Sequence, residues 1–305
     1  MRLISFRDQR GEMRAGAIAD ERVIDLTPVI VALRLPASIA ERGLTAPTSG
    51  MLRLLYAGAQ GMAAVRRYVD DARAAGGLER LPLWREVTLM APIPRPGKIV
   101  AIGRNYADHA KETGVSPFER PRIIAKLSSS VVGPGAVVQR PAAVGKLDFE
   151  AELAVVMGGF ASNVPRERAL QMVAGYTVLN DLSAREFQFD VAPPQTTFAK
   201  SMDGFCPMGP WLITTDEIAD PQALDIKSFV NDMPMQNGNT ADMLFPVDRI
   251  IEYLSQFMTL EPGDVIATGT PAGSGAFRDP PVWLKPGDRV RIEVAQIGTL
   301  EHSIG

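Results

Sequence analysis

The chain has 305 residues, of which 46% are hydrophobic and 22% are charged, a balance typical of a globular protein with a full core. The formal net charge of −3 gives no electrostatic argument for nucleic-acid binding, and no uncharged apolar run is long enough to span a membrane. The single cysteine, Cys206, excludes an internal disulfide and a cysteine metal cluster, so we expect a small buried residue. Because the N-terminus lacks a long apolar export segment, we expect a cytoplasmic protein.

The first part of the chain is predicted to form a small α+β domain. Residues 3–6 and 13–18 flank a polar turn and have the pattern of a β-hairpin. Residues 51–75 carry apolar side chains near helical spacing and end at two glycines, which predicts one long helix. This segment holds no chemical motif, so we expect it to serve packing.

A proline-rich stretch over residues 91–97 follows this segment. Prolines at alternate positions make a stiff connection, and we place a domain boundary there. The prediction is therefore a small N-terminal domain over residues 1–92 and a larger domain over residues 93–305.

The larger domain begins with a predicted buried strand over residues 98–103 and a short helical stretch over residues 104–112. His109 has Glu112 three residues further on, hence on the same helical face, where a carboxylate can orient the imidazole. The spacing alone favours an exposed helix histidine. His302, the other histidine, lies three residues from the C-terminus, where a structural or surface role is expected.

Acidic residues interrupt two predicted strands. In the strand that starts at Leu147, Glu150 and Glu152 share one face, and a second strand over residues 176–179 leads to Asp181. Acids are depleted in strands, and three carboxylates at strand ends can form an all-oxygen site for Mg²⁺ or Mn²⁺. The alternative is a solvated strand face, which the spacing alone slightly favours.

Helical segments are predicted on either side of the second of these strands. Residues 165–173 have a helical pattern, and residues 183–186 have the form of a capping box. In a helix that starts there, Arg185 and Gln188 lie on one face and can hold substrate oxygens. A solvated helix face is the alternative.

The last part of the chain contains two Pro-Gly turns, at residues 262–263 and 286–287, each predicted to lead into a strand. Between them, residues 267–273 are glycine-rich but lack the Gly-Lys-Ser/Thr of a phosphate loop, which argues against a nucleotide site. Thr270 lies in this stretch and is suited either to a substrate carboxylate or to plain turn chemistry.

Taken in order, these segments resemble the fumarylacetoacetate hydrolase superfamily over about residues 98–305. The resemblance rests on five short motifs, at residues 103–109 (GRNYADH), 148–153 (DFEAEL), 180–185 (NDLSAR), 199–201 (AKS) and 268–271 (TGTP). Each motif alone is weak, and their common order over some two hundred residues makes the resemblance specific.

The resemblance implies a mostly β fold with helices, in which a rolled mixed sheet forms the catalytic domain beside the small α+β N-terminal domain. It also implies a homodimer and a Mg²⁺ or Mn²⁺ ion bound by Glu150, Glu152 and Asp181, named here the carboxylate triad. Residues 1–92 resemble the small extra domain of longer bacterial members.

The resemblance further implies roles around that ion. His109 with Glu112 would act as a general base on a closing lid over residues 104–117, and Lys200 would be an electrostatic stabiliser. The residues expected to hold the substrate are Arg185, Gln188 and Thr270. Lys126 is a further candidate, although the family's usual Lys-Pro is Lys126-Leu127 here, which leaves the role of that loop open.

Family members act on 2-oxo acids and 1,3-diketo acids, so the expected partner is a small 2-oxo acid. The leading hypothesis is a hydrolase that cleaves a C–C bond in a 2,4-diketo acid of the acylpyruvate or fumarylpyruvate type, from aromatic or sugar-acid breakdown. The alternative enzyme is a decarboxylase or tautomerase of an oxaloacetate-like acid. A metal-stabilised ligand-binding protein without turnover is the alternative of another class, but it has no use for the His109–Glu112 pair.

Overall fold

The computed structural model describes residues 1–42, 49–112, 114, 116 and 118–305. It is 28% helical and 33% strand, which confirms the predicted sheet-rich fold with helices. The strands are β1 Arg2–Arg7, β2 Met13–Ala19, β3 Arg22–Asp25, β4 Thr88–Met90, β5 Ile99–Gly103, β6 Arg122–Lys126, β7 Val131–Val132, β8 Val137–Val138, β9 Leu147–Asp148, β10 Ala151–Met157, β11 Val173–Asn180, β12 Ser183–Ala184, β13 Cys206–Thr214, β14 Asp225–Val230, β15 Met233–Asn239, β16 Val265–Ala267, β17 Arg289–Val294 and β18 Gly298–Ile304. The α-helices are α1 Thr27–Ala32, α2 Ser38–Glu41, α3 Gly50–Tyr56, α4 Gly58–Ala75, α5 Ala107–Glu112, α6 Arg166–Ala169, α7 Arg185–Phe189, α8 Thr196–Ala199 and α9 Val247–Ser255.

The described strands form one large sheet, one smaller sheet and a short strand pair. The large sheet has the order β3-β2-β1-β13-β11-β10-β16-β5-β6, with β4 added to β1 and β7 added to β13. The smaller sheet has the order β15-β14-β17-β18-β8, and β9 pairs with β12. The strand predicted to start at Leu147 is divided: β9 ends at Asp148, residues 149 and 150 lie outside both strands, and β10 starts at Ala151 inside the large sheet. All seven residues of β10 are buried, and from Leu153 the strand is apolar on both faces, as expected.

The N-terminal strands continue the same sheet as the strands of the larger domain. Strand β1 pairs antiparallel with β13, and Leu3 lies opposite Leu212. Leu3 and Leu54 share one buried apolar cluster with Leu179 and Leu212, so the core extends across the segment where we placed the domain boundary. The division at residues 92 and 93 stays a prediction.

Two helix predictions are wrong in their extent. The predicted helix over residues 51–75 is two helices, because the chain turns at Gly58, which has a left-handed φ of 57° that glycine adopts without steric cost. The predicted helix over residues 165–173 contains only the four residues of α6, then a 3₁₀ turn over Leu170–Met172, and Val173 already belongs to β11.

The two Pro-Gly turns are confirmed, and the same kind of hydrogen bond stabilises both: an aspartate side chain accepts the backbone N–H three residues before it. Asp264 accepts the backbone N–H of Glu261 at 2.7 Å, and Asp288 accepts that of Lys285 at 2.9 Å. Both turns lead into strands, β16 and β17, as their sequence predicts.

Candidate active site and metal centre

The strand register brings the carboxylate triad together. Strands β10 and β11 are antiparallel with Ala151 opposite Asn180, so Glu150 and Asp181 extend from adjacent strand ends, and the Asp181 N–H donates to the Glu150 carbonyl at 2.9 Å. Glu152 follows on β10. Carboxylate oxygens of all three residues lie within 4.8 Å of one another, and all three side chains are buried.

The donor set of the triad fits a hard divalent cation. Burial raises the pKa of Glu152 well above its ordinary value, and the charges of Asp181 and Glu150 raise it further. The Glu152 carboxylate is held in place by the backbone of Gly269, whose N–H donates to Oε2 at 2.8 Å. Clustered, buried, all-oxygen anions are the environment in which Mg²⁺ or Mn²⁺ is stable, and the ion would relieve their mutual repulsion.

Lys200 lies between two members of the triad, close to the predicted metal ligands. Its Nζ donates to Glu150 Oε2 at 2.6 Å, to Asp181 Oδ2 at 2.7 Å and to Ser183 Oγ at 2.7 Å. Burial lowers the pKa of Lys200, but Asp181 and Glu150 raise it by more, so the ammonium stays charged. The lysine therefore supplies a fixed positive charge within the carboxylate cluster.

Lys126 holds Asp181 from the other side. Its Nζ donates to Asp181 Oδ1 at 2.6 Å and to two backbone carbonyls, those of Lys200 and Phe205. Leu127 replaces the proline of the usual Lys-Pro without disturbing this contact, since its side chain is 54% exposed. Its N–H donates to Ser201 Oγ at 3.0 Å, a hydrogen bond that proline cannot form.

Arg185 is committed to other protein groups. Its Nε donates to Asp148 Oδ2 at 2.8 Å, one Nη to Glu150 Oε1 at 2.6 Å and the other to Gln188 Oε1 at 2.7 Å. Arg185 therefore orients Glu150. Of the two predicted substrate-binding residues on α7, Gln188 is better suited to contact a substrate. Its side-chain carbonyl accepts from Arg185, and its amide nitrogen is a donor for a substrate oxygen.

The predicted capping box at the start of α7 is wrong. Helix α7 begins at Arg185, and the Ser183 hydroxyl donates to the Asp181 carbonyl at 3.0 Å instead of capping a helix. Glu186 Oε1 accepts the N–H groups of Gly145 and Lys146, so it ties α7 to the segment before β9. The Ser183 and Glu186 side chains, which a capping box would have paired with the helix N-terminus, therefore bond to other backbone groups.

His109 and Glu112 form a hydrogen-bonded pair on α5. His109 Nδ1 lies 2.6 Å from Glu112 Oε1, and Glu112 Oε2 accepts the Gly273 N–H at 3.0 Å. Because an ionised carboxylate only accepts hydrogen bonds, Nδ1 is the donor in this contact. His109 is 4% exposed and its ring lies edge-on to Phe277, so the exposed helix histidine is the wrong alternative.

One small cavity unites these groups. It has a volume of about 30 Å³ and is lined by the carboxylate triad, His109, Lys200, Gln188 and Thr270. The Thr270 hydroxyl donates to the Ala151 carbonyl at 2.8 Å and accepts from Gln236 at 2.7 Å, which matches the turn role more than a hydroxyl contact to substrate.

Two cavity-lining arginines, Arg104 and Arg122, were missed by the sequence reasoning. Arg104 belongs to the first family motif, and Arg122 opens β6, where Gly103 is its partner across the strand pair. The family motif could have drawn attention to Arg104, whereas the signal for Arg122 is its position at a strand end, which becomes informative once the strand order is known.

His302 has the structural role that was one of its two expected roles. It is 4% exposed, and its Nε2 lies 2.8 Å from Asn180 Nδ2. Asn180 Oδ1 accepts the Glu150 N–H at 3.0 Å, so this buried chain supports the strand ends that carry the triad. Burial lowers the pKa of His302 to about 4.

Sequence comparison agrees with this geometry. The sequence model of the fumarylacetoacetate (FAA) hydrolase C-terminal family matches residues 98–305. The chain is also 45% identical to the mitochondrial oxaloacetate tautomerase FAHD2A of Homo sapiens over 219 residues, 72% of this chain and 70% of that protein. The chain therefore belongs to the fumarylacetoacetate hydrolase family, a family of enzymes.

Solved structures extend the similarity to the N-terminal segment. A putative HpcE protein from Mycobacterium smegmatis aligns with a TM-score of 0.81 and 36% identity, covering 100% of this chain and 99% of that one. Maleylpyruvate hydrolase from Sphingobium sp. SYK-6, in complex with manganese(II) and pyruvate, aligns with a TM-score of 0.76 and 32% identity, covering 100% and 98%.

Proposed function

We propose that the protein is a divalent-metal-dependent enzyme that enolises a 2-oxo acid, and that its reaction is the keto–enol tautomerisation of an oxaloacetate-like acid. The observation that carries the proposal is that His109, which is hydrogen-bonded to Glu112, lines the same cavity as the carboxylate triad. A base beside a site for a Lewis acid is the arrangement required for proton transfer next to a keto group.

The residues of the chain account for the proton movement. The triad would hold Mg²⁺ or Mn²⁺, which when bound supplies Lewis-acid chemistry at a keto oxygen. His109 would accept the C3 proton of the 2-oxo acid through Nε2, while Glu112 fixes the ring. Lys200 would stabilise the negative charge that develops on the keto oxygen. The proton then returns to that oxygen, so the reaction consumes no water.

One comparison favours tautomerisation over the hydrolysis that the sequence placed first. The chain is 45% identical to an oxaloacetate tautomerase and 32% identical to the maleylpyruvate hydrolase.

The test follows the decay of enol-oxaloacetate by its ultraviolet absorbance. With Mg²⁺ or Mn²⁺, the protein should accelerate the conversion to the keto form, and exhaustive chelation should abolish the acceleration. A matched control is Glu167→Gln, which removes an exposed carboxylate from α6 and should leave the rate unchanged. A full rate in the absence of metal, or no acceleration at all, would rule out the proposal.

Hydrolysis of an acylpyruvate-type C–C bond is the second candidate. It is favoured by the buried His109–Glu112 pair, which can also activate water, and by the pyruvate and manganese(II) named in the hydrolase structure. Incubation with fumarylpyruvate in H₂¹⁸O distinguishes the two: label in a carboxylate product supports the hydrolase. Release of CO₂ from oxaloacetate would indicate the decarboxylase instead.

Membership of an enzyme family argues against the ligand-binding protein without turnover. A homodimer and a cytoplasmic location stay predictions. Among the described residues, no helix is both long and apolar enough to cross a bilayer.

A further inference from the structure

We propose that Arg104 and Arg122, named here the arginine pair, form a subsite for the distal carboxylate of a dicarboxylic 2-oxo acid. The inference deepens the proposed function and rests on it for the 2-oxo acid head group. It adds a specificity site that the catalytic and metal-binding residues do not supply.

The sheet topology places the arginine pair beside the triad. Five strand ends lie on the same side of the sheet: the starts of β10 and β6 and the ends of β11, β16 and β5. This follows because β16 and β5 are parallel and the other neighbouring strands are antiparallel. Strand β5 is two positions from β10, a separation of about 10 Å. Long arginine side chains can bridge much of that distance, and both line the cavity that contains the triad.

The backbone is arranged to present both arginines. Arg104 has a left-handed φ of 56°, a conformation that costs free energy for a residue with a Cβ. Gly103 lies opposite Arg122, and a Cβ on this glycine would lie 3.3 Å from Arg122 Cδ. The glycine therefore leaves room for the Arg122 side chain to lie against β5, next to Arg104.

The arginine pair has no acidic partner among the residues that the structure describes. Arg185, Lys126 and Lys200, in contrast, each bond to buried carboxylates. Burial lowers the pKa of Arg104, and the positive charges of Arg122 and Arg185 lower it further. Two guanidinium groups that repel each other in a cavity are a site for an anion, and a carboxylate matches their planar donors.

The ligand class follows from the charges. The triad end would take the carboxylate and keto oxygens of a 2-oxo acid through the bound ion, and those groups are the same in every 2-oxo acid. The arginine pair has donors for a second carboxylate, which only a dicarboxylic acid has. The geometry thus points to selection of dicarboxylic over monocarboxylic 2-oxo acids.

The test compares two probes of equal length, 2-oxoglutarate and 2-oxopentanoate, which differ only in a terminal carboxylate or methyl group. Calorimetry on the full chain with saturating Mg²⁺ should show tighter binding of 2-oxoglutarate. In Arg122→Met, which keeps the aliphatic stem, we expect that affinity to fall about ten- to hundredfold, the range for loss of a charge-assisted hydrogen bond. The 2-oxopentanoate and Mg²⁺ affinities should change less than about twofold.

A second variant and a control complete the design. Arg104→Asn removes the charge while tolerating a positive φ, and it should reduce the preference in the same way. Arg120→Met removes an exposed charge two residues from Arg122 and should have no effect. Equal affinity of the wild type for both probes, or equal weakening of both probes in the arginine variants, would overturn the subsite.

These measurements are independent of turnover. A wild type that prefers 2-oxoglutarate but does not tautomerise enol-oxaloacetate would contradict the proposed function and leave the subsite standing. A protein that tautomerises enol-oxaloacetate but binds both probes equally would support the proposed function and overturn the subsite.

Discussion

Glu152 differs from the other two members of the triad in having few positive neighbours. Its contacts are the Gly269 N–H and the nearby carboxylates, whereas Glu150 and Asp181 each bond directly to lysine or arginine side chains. Burial and the charges of Asp181 and Glu150 both raise its pKa. Glu152 is therefore the carboxyl of the triad whose ionisation the surroundings oppose most.

We predict that metal binding releases a proton from Glu152. A metal ion binds the ionised carboxylate, so metal affinity should rise with pH up to the raised pKa of Glu152, and binding below that pKa should release a proton. Calorimetry in buffers of different ionisation enthalpy counts the released proton. Glu152→Gln should bind metal more weakly and release none, and an unchanged proton count in this variant would contradict the assignment.

We predict that His109→Ala lowers kcat by about 10²- to 10⁴-fold, the usual effect of removing a positioned acid or base. The triad does not contact this imidazole directly, so metal affinity measured by calorimetry should be nearly unchanged. Glu112→Gln should cause a smaller loss, because Nδ1 keeps a hydrogen-bond acceptor. If His109→Ala retains the wild-type rate, the base is another residue.

His302 predicts a dependence of stability on pH. Its folded pKa of about 4 lies below the ordinary value of 6.5, so between these values the unfolded chain binds more protons than the folded chain. The contribution of neutral His302 to the free energy of unfolding should be fully present above about pH 6.5. It should be lost as the pH falls towards 4, which lowers the free energy of unfolding by up to about 3 kcal/mol. Urea denaturation of wild type and His302→Gln measures this slope, and an equal slope in both would exclude His302 as its source.

At the scale of elements, we expect α5 to be the segment through which the active site opens. Its hydrogen bonds to the glycine-rich loop are few: Glu112 accepts the Gly273 N–H at 3.0 Å, and Asp108 accepts the Ala272 N–H at 3.3 Å. A cavity of about 30 Å³ holds a water molecule or two but no 2-oxo acid. The space must enlarge for substrate to enter.

We predict that residues 104–117 exchange amide hydrogens rapidly without ligand and slowly when oxalate and Mg²⁺ are bound, because closure over the ligand would add contacts to α5. Residues 113, 115 and 117 of this stretch lie outside the described part of the chain. The fully buried strand β10 is the internal control, since its exchange should be slow in both states. Equal protection of residues 104–117 in both states would exclude the lid.

At the scale of the whole molecule, the N-terminal segment is joined to the rest by a sheet and a core. Strand β1 covers one edge of β13, and the N-terminal ammonium group donates to Glu217 at 3.0 Å. Met51 and Leu54 are buried in the cluster that also contains Leu212. Removing the segment would uncover that strand edge and apolar surface.

We predict that residues 98–305 alone fold poorly and aggregate, and that the full chain unfolds in a single cooperative transition. Denaturation followed by fluorescence and by circular dichroism should give coincident curves for the full chain. The informative comparison is the truncated chain over residues 98–305, expressed under the same conditions. If it is soluble, monodisperse and binds Mg²⁺ like the full chain, then residues 98–305 are an independent folding unit and the prediction is wrong.

The sequence by itself determined the features that local periodicity encodes. The alternation predicted that Glu150 and Glu152 lie together, and their carboxylates do, although the structure divides the predicted strand at residues 149 and 150. Helical spacing placed His109 beside Glu112. The family motifs then linked these segments to Asp181 and Lys200. These predictions succeed because neighbouring residues in a strand or helix have directions fixed by backbone geometry.

Only the tertiary structure decided which groups meet across the sheet. The register of β5 with β6 brings Arg104 and Arg122 together, and residues distant in sequence engage Lys126 and Arg185. The turn at Gly58 is equally invisible in the sequence, because the apolar spacing continues through it. Strand order and packing depend on the burial of the whole chain, so no local pattern specifies them.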